Sequence, residues 1–218
     1  MLEAGVARLR RCAAGEDFIQ ARPKTAPGGD LTEWYIREFG RIINSDCAKF
    51  AFLGAGYEPG DPESVRKFYP PASELVRQLI EKMLQSAAPG GRLYLSAGGN
   101  GSGKSSFCSA IRPLLGENEW VIDATLGSYE PTRRTISRAE AKGMTAVVFW
   151  IKRTPEAAWR NGVLKRDALG GHITPRDIFD STHAIVPQNV AKLKSDFSST
   201  TLTVIEIEND FPPHRESK

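Results

Sequence analysis

The run from Gly98 to Ser105 leaves this chain few ways to fold, because it reads Gly-Gly-Asn-Gly-Ser-Gly-Lys-Ser. Its spacing matches the phosphate-binding loop G-x-x-x-x-G-K-[ST], in which glycines let backbone N–H groups converge on phosphate oxygens. An apolar run, Leu93–Leu95, precedes the loop, and a helix-compatible stretch, Ser106–Leu115, follows it. A helix in that position points its positive end at the bound anion. The sequence therefore predicts a nucleoside triphosphate site rather than a flexible linker.

The ligands predicted for this loop are ATP, with GTP as the open alternative, and Mg²⁺. Lys104 is expected to reach the β- and γ-phosphates, and the Ser105 hydroxyl is expected to bind Mg²⁺. The predicted nucleotide-binding residues are Gly98, Gly99, Asn100, Gly101, Ser102, Gly103, Lys104, Ser105 and Ser106.

Composition argues against several classes of partner. The 218 residues include 29 Lys and Arg and 26 Asp and Glu, which gives a formal net charge of +3. A balance so close to neutral disfavours nucleic acid or an anionic membrane as the main partner. The cysteines Cys12, Cys47 and Cys108 are scattered without metal-ligand spacing, so reduced thiols are expected. Since no apolar stretch approaches the length of a membrane span, we expect a cytoplasmic protein.

Strands and helices alternate from Arg92 onward, with strands predicted at Trp120–Asp123, Ala146–Ile151 and Leu202–Ile207. This alternation predicts an α/β fold of the P-loop NTPase type, a parallel sheet flanked by helices with its ligand at the carboxyl ends of the strands. We assign residues 91–212 to this domain. Residues 1–90 are assigned to a mainly helical amino-terminal extension with a docking or regulatory role.

Within the extension, a helix is predicted over Leu31–Ile43. The run Lys49–Leu53 fits either a short strand or a buried turn of helix, because its periodicity does not decide. The segment Tyr57–Pro71 carries four prolines and is predicted to be an extended connector with a short helix. A second helix, with apolar residues at helical spacing, is predicted from Ser73 to the stop signal Pro89–Gly91.

Asp123 ends the strand that follows the helix of the loop. A carboxylate at this place can hold Mg²⁺ through water, or it can accept the proton of a substrate hydroxyl. The sequence favours one of these two roles over a simple turn cap but does not choose between them.

Basic residues follow the Ala146–Ile151 strand, and they include Arg153, Arg160, Lys165 and Arg166. We predict that Arg160 and Arg166 are catalytic residues of a lid that closes over the triphosphate, because guanidinium groups suit phosphate oxygens. The two arginines are six residues apart and share a helix face only if the helix breaks near Asn161. The alternative for these charges is a solvated helix face.

Two histidines lie near this region. His183 stands among apolar residues, which favours a half-buried structural side chain over a catalyst. His172 lies in a glycine-flanked turn, where phosphate contact and solvent exposure are both open.

The segment from Leu93 to about Leu193 resembles the zeta toxin group of P-loop kinases. Four matches carry the resemblance: the loop, the strand end Val121–Leu126, the helix end Ala141–Gly143 before Ala146–Ile151, and Arg166 with Gly170–Pro175 followed by His183. The resemblance implies catalytic roles for Lys104, Asp123, Arg160 and Arg166, phosphorylation of a UDP-amino sugar, and an antitoxin or inhibitory partner.

The chain departs from the family pattern at the acceptor side. Zeta toxins carry an extra strand after the loop helix, with an aspartate that acts as base toward the acceptor. Here Gly116–Glu119 alone separate Leu115 from Trp120, so that strand is missing from its usual place. Either Asp123 is the base, or the extension supplies one, with Asp46, Glu58 and Asp61 as candidates, or the acceptor differs. His172 also replaces a common arginine.

These observations predict an ATP-dependent kinase that acts on a hydroxyl group of a small molecule or nucleotide sugar. The alternative is an ATP-binding regulatory or interaction protein of the P-loop class without kinase activity, which the missing strand favours. A polynucleotide end kinase is disfavoured by the near-neutral charge.

Overall fold

A parallel sheet of five strands forms the centre of the computed structural model, which describes residues 1–13, 23–168 and 174–210. The strands lie in the order β1-β3-β2-β4-β5, and all neighbours run parallel. This topology confirms the predicted P-loop NTPase-type fold class. The strands are β1 (Ile42–Asn44), β2 (Arg92–Ala97), β3 (Glu119–Asp123), β4 (Thr145–Lys152) and β5 (Leu202–Glu208).

Helices cover both faces of the sheet. They are α1 (Leu2–Ala13), α2 (Leu31–Phe39), α3 (Ser45–Lys49), α4 (Pro62–Ser86), α5 (Lys104–Ile111), α6 (Tyr129–Glu140), α7 (Pro155–Ala158), α8 (Lys165–Ala168) and α9 (Arg176–Asp196). Short 3₁₀ helices occupy Phe50–Ala55 and Arg112–Leu114, and a π-helix occupies Trp159–Leu164.

Two apolar clusters, one on each face, hold the helices to the sheet. The larger cluster joins residues of α2, α4, α6 and α9 to side chains such as Leu93 and Val148. The smaller joins Leu9 of α1 and Phe107 of α5 to Tyr94 and Phe149. Because both faces are covered, the central strands are apolar almost throughout, as their sequences predicted.

The amino-terminal segment supplies the edge strand of the sheet. Ile42 pairs with Val121, and Asn44 pairs with Asp123. The predicted helix over Leu31–Ile43 is therefore too long: α2 ends at Phe39, and Gly40 takes a positive φ of 66° that ends the helix. Residues 1–90 thus share the sheet and the larger core with the rest of the chain, and the division at residue 90 stays a prediction about how the two parts act.

Helix α4 replaces the extended connector predicted over Tyr57–Pro71. It begins after the capping side chain of Asp61 and continues through Pro70 and Pro71. Prolines usually break a helix interior because they lack an N–H and crowd the preceding turn. Here one continuous buried stripe, Phe68, Ala72, Leu75, Leu79 and Met83, crosses the prolines. The burial of that stripe outweighs the local preference.

The run Lys49–Leu53, for which strand and helix were both open, is helical, since α3 ends at Lys49 and a 3₁₀ helix follows. Among the residues described, no helix combines the length and the apolar character needed to cross a membrane.

Candidate nucleotide and acceptor site

A cavity of about 1600 Å³ opens at the carboxyl ends of the strands. The phosphate-binding loop, the ends of β1 and β3, and helices α1, α4 and α9 all contribute to its walls. Ligands of open parallel sheets bind at this edge. The cavity is therefore the candidate functional site, and it includes residues from both halves of the chain.

The loop between β2 and α5 forms a tight cradle. Gly98, Gly101 and Gly103 have φ values of 145°, 76° and 100°, which residues with a Cβ rarely adopt. A Cβ on Gly98 would overlap the carbonyl oxygen of Ile151, and one on Gly101 would overlap that of Ala158. Glycine is therefore required here by the conformation of the loop and by its close packing against β4 and α7.

Lys104 opens α5 and is only 8 % exposed. Its Nζ donates a hydrogen bond of 2.8 Å to the carbonyl oxygen of Gly99. Burial lowers the pKa of this lysine to about 8, the nearby Asp123 carboxylate acts to raise it, and Arg166 acts to lower it. A buried ammonium held against the loop is poised to complete its pairing with a phosphate.

Ser105 follows Lys104 in the first turn of α5 and is exposed to the cavity. Ser106 also lines the cavity. Magnesium in triphosphate sites is held by one or two protein oxygens together with phosphate oxygens. The Ser105 hydroxyl and the carboxylate of Asp123 are oxygen ligands of this kind, so the residues present fit such an ion.

Asp123 lies at the end of β3 with both carboxylate oxygens engaged. Asn44 Nδ2 donates to Oδ2 at 2.7 Å, and Ser96 Oγ donates to Oδ1 at 2.9 Å. The side chain is 6 % exposed. These bonds fix the carboxylate toward the cavity and leave it little freedom to approach a substrate.

Of the three acidic candidates in the extension, the structure brings Asp46 to the cavity. Asp46 stands in the first turn of α3, directly after β1, and its Oδ1 pairs with Lys49 Nζ at 2.7 Å. Asp61 instead caps α4 by accepting from the backbone N–H groups of Glu63 and Ser64. Glu58 lies outside the walls of the cavity.

The two predicted lid arginines lie in different surroundings. Arg166 lines the cavity, and its Nη2 donates to Thr174 Oγ1 at 2.6 Å. Burial lowers its pKa. Arg160 is 71 % exposed, pairs with Glu156 at 2.8 Å, and lies outside the cavity walls. The helix does change form between them, since the π-helix covers Trp159–Leu164.

Two further cations of the same region reach the cavity. Arg153, at the end of β4, donates from Nη1 to the carbonyl oxygen of Gly101 at 3.1 Å. Lys165 also lines the cavity. Together with Arg166, these side chains bring three cationic groups to the wall of the cavity.

His183 packs against the phosphate-binding loop. Its Nε2 lies 3.0 Å from the carbonyl oxygen of Asn100, its ring packs against Phe179, and burial lowers its pKa. A Cβ on Gly99 would overlap the imidazole. These contacts agree with the structural role that the sequence favoured. His172 lies outside the described residues.

Sequence reasoning missed four residues of the site: Arg8, Asn44, Ser96 and Asn209. Ser96 and Asn209 lie at or just beyond the ends of predicted strands, where a polar residue is a usable signal. The three-residue strand β1 and the position of α1 carry no comparable signal, so Asn44 and Arg8 needed the tertiary structure.

Comparison with known proteins supports the same region. The family model described as Zeta toxin matches residues 116–216, slightly less than half of the chain. The matched segment includes Asp123, Arg160 and Arg166 and begins after the phosphate-binding loop. A search of curated proteins finds no match.

Proposed function

We infer, from the match of residues 116–216 to the Zeta toxin family model together with the phosphate-binding loop, that this chain is an ATP-dependent phosphotransferase acting on a hydroxyl group of a small molecule or nucleotide sugar. The family is one of P-loop kinase-like, ATP-using proteins. The single observation that carries the proposal is the meeting of the glycine cradle, the buried Lys104 and the carboxylates of Asp46 and Asp123 in one cavity.

At the phosphate end, the backbone N–H groups of Gly98–Ser106 and the Lys104 ammonium would hold the polyphosphate. Bound ATP would supply the γ-phosphoryl group, and Mg²⁺ would offset the negative charge of its oxygens. Arg166, which already lies in the cavity, would place a second cation beside the transferred group. Arg160 stays a predicted catalytic residue whose side chain must turn inward to act.

At the acceptor end, Asp46 is the base that we propose. Asp46 lines the cavity from the first turn of α3 and its side chain is 36 % exposed, while Asp123 has both oxygens occupied by Asn44 and Ser96. A general base must approach the hydroxyl proton to within hydrogen-bond distance, and Asp46 has the more open position. The Lys49 ammonium would orient the carboxylate for this step.

Asp123 would then bind Mg²⁺ together with Ser105. The two hydrogen bonds to its oxygens keep the carboxylate in one orientation, as the outer partners of metal ligands commonly do. Of the two roles that the sequence left open for Asp123, we propose the metal-binding one.

The alternative of an ATP-binding regulatory protein without kinase activity depended on the missing acceptor-side strand. Strand β1 now lies beside β3 with Asp46 at its end, which supports the kinase. An antitoxin or inhibitory partner and a cytoplasmic location belong to the same proposal. Cys47 and Cys108 carry free thiols.

The decisive experiment measures transfer of labelled γ-phosphate from ATP to a panel of sugars, nucleotide sugars and other small alcohols. We expect transfer to at least one acceptor by the wild-type chain and none by Lys104→Ala. Binding of ATP without transfer to any acceptor would favour the regulatory alternative. Transfer by Lys104→Ala at the wild-type rate would overturn the assignment of the site.

A further inference from the structure

Helix α1 reaches the outer side of the phosphate-binding loop, where the proposed function gives it no role. Leu9 is buried, and its Cδ2 lies 2.7 Å from the place that a Cβ on Gly103 would occupy. Gly5 lies so close to the ring of Phe107 that a Cβ there would overlap it. These two contacts dock α1 directly on the loop and its helix α5.

This docking brings Arg8, the chain neighbour of Leu9, to the wall of the cavity. The Nε of Arg8 is buried, so the side chain lies along the wall rather than in open solvent. Arg153 and Asn209 also line the cavity, and both donate hydrogen bonds to carbonyl oxygens of the same loop. A planar guanidinium group in such a place suits stacking on a nucleobase as well as hydrogen bonding.

Asn209 gives an independent sign of a ligand here. It follows β5 and is 3 % exposed, and its Nδ2 donates to the carbonyl oxygen of Ser102 at 2.6 Å. Because that carbonyl can only accept, the amide orientation is fixed and Oδ1 points elsewhere. Among the residues that the structure describes, Oδ1 has no hydrogen-bond partner although it is buried. A buried acceptor without a partner is costly unless a ligand or water supplies a donor.

The order of the strands separates this region from the acceptor. Asp46 and Asp123 follow β1 and β3, on one side of β2 and its loop. Arg153 and Asn209 follow β4 and β5, on the other side. A triphosphate held by the loop must direct its γ-phosphate toward the acceptor, so its nucleoside lies on the opposite side. That side is the one with Arg8 and Asn209.

We propose that α1 forms a wall of the nucleoside subsite, where Arg8 packs against the base or ribose and Asn209 Oδ1 accepts a hydrogen bond from a base amino group or ribose hydroxyl. This inference rests on the proposed function, because it requires a nucleoside triphosphate in the loop. It assigns residues 2–13 to substrate binding, beyond the segment that the family model matches.

The test compares two ligands by calorimetry on the full chain: ATP and inorganic triphosphate, both with Mg²⁺. Triphosphate reports the loop alone, whereas ATP reports the loop and the nucleoside subsite. For Arg8→Ala we expect ATP to bind about tenfold more weakly and triphosphate to bind unchanged, as the loss of a desolvated cation–π contact predicts. Arg10→Ala, an exposed change of equal charge on the same helix, should bind both ligands like the wild type.

Other outcomes overturn the inference. An equal loss for both ligands would make Arg8 a phosphate contact, no loss would make α1 purely structural, and tighter ATP binding would mean that α1 covers the site. If the wild type binds neither ligand, the proposed function itself fails, which is distinguishable from failure of the subsite.

Discussion

The carboxamide of Asn44 donates a hydrogen bond of 2.7 Å to the carboxylate of Asp123 across the pairing of β1 with β3. The same carboxamide, through its Oδ1, caps α3 by accepting from the backbone N–H groups of Asp46 and Cys47. One side chain therefore fixes the orientation of Asp123 and the start of the helix that carries Asp46. Asn44 ties the two carboxylates of the site to one rigid frame.

We expect Asp46→Asn to lower kcat by about 10²–10⁴-fold, because an amide cannot take the proton of the acceptor hydroxyl. The KM for ATP should stay within about twofold, since Asp46 lies on the acceptor side of the loop. Steady-state kinetics with the identified acceptor measure both values. Glu58→Gln, an exposed change outside the cavity, is the matched control, and full activity of Asp46→Asn would assign the base elsewhere.

Asp123→Asn is expected to weaken the binding of Mg²⁺ rather than to impair proton transfer from the acceptor. Loss of one ligand charge should raise the Mg²⁺ concentration for half-maximal activity by about 10–100-fold. A magnesium titration of the rate measures this shift, with thermal unfolding as the check that the variant is folded. Asp46→Asn should not show the shift, and an unchanged magnesium requirement in Asp123→Asn would contradict the metal role.

ATP affinity is expected to depend on pH through Lys104. Its pKa in the free protein is about 8, so the ammonium that we propose as a phosphate ligand is present at pH 7 and mostly lost at pH 9. Each unit above the pKa lowers the protonated fraction about tenfold. We therefore expect ATP to bind about tenfold more weakly at pH 9 than at pH 7, as measured by calorimetry.

Lys104→Met is the control for that profile, because it removes the titrating group. It should bind ATP weakly and with the same affinity at both pH values. A wild-type affinity that stays flat to pH 9 would show that Lys104 keeps its proton there.

The same variant is expected to be more stable than the wild type. Burial lowers the pKa of Lys104 from 10.5 to about 8, so the unfolded chain binds the proton more tightly. Between pH 8 and 10.5 the free energy of unfolding of the wild type therefore rises with pH, and below pH 8 the full cost of the buried charge is present. Lys104→Met removes that cost, which is up to about 3 kcal/mol.

Urea unfolding at pH 7 and at pH 10 measures this effect. The stability difference between Lys104→Met and the wild type should be large at pH 7 and smaller at pH 10. A variant less stable than the wild type at pH 7 would contradict the cost assigned to the buried ammonium.

Arg166→Ala and Arg160→Ala form a pair of equal charge change that separates the two predicted lid residues. Arg166 lines the cavity, so we expect its loss to lower kcat at least tenfold. Arg160 is exposed, pairs with Glu156 and lies outside the cavity walls. Surface ion pairs contribute little to stability, so the loss of Arg160 should leave the fold intact and change the rate less than twofold. Equal damage from both variants would mean that the segment from Trp159 to Ala168 closes over the triphosphate and brings Arg160 inward.

The elements that a local sequence pattern specifies were predicted correctly. The central strands Trp120–Asp123 and Ala146–Ile151 were found within two residues because both faces of a covered sheet require apolar side chains. The prolines at 70 and 71 misled the prediction of α4, since local breakers were outweighed by a buried stripe that the sequence shows only across the whole helix.

The sequence by itself determined the phosphate-binding loop, because the positive φ values of its glycines and the hydrogen bond from Lys104 to Gly99 are local features. Tertiary structure alone decided that Asp46 lines the cavity and that α1 lies beside Gly103. The physical reason is that a strand finds its place in a sheet by pairing with residues far along the chain. Ile42–Asn44 is too short to show its own periodicity, and its place in the sheet depends on pairing with β3.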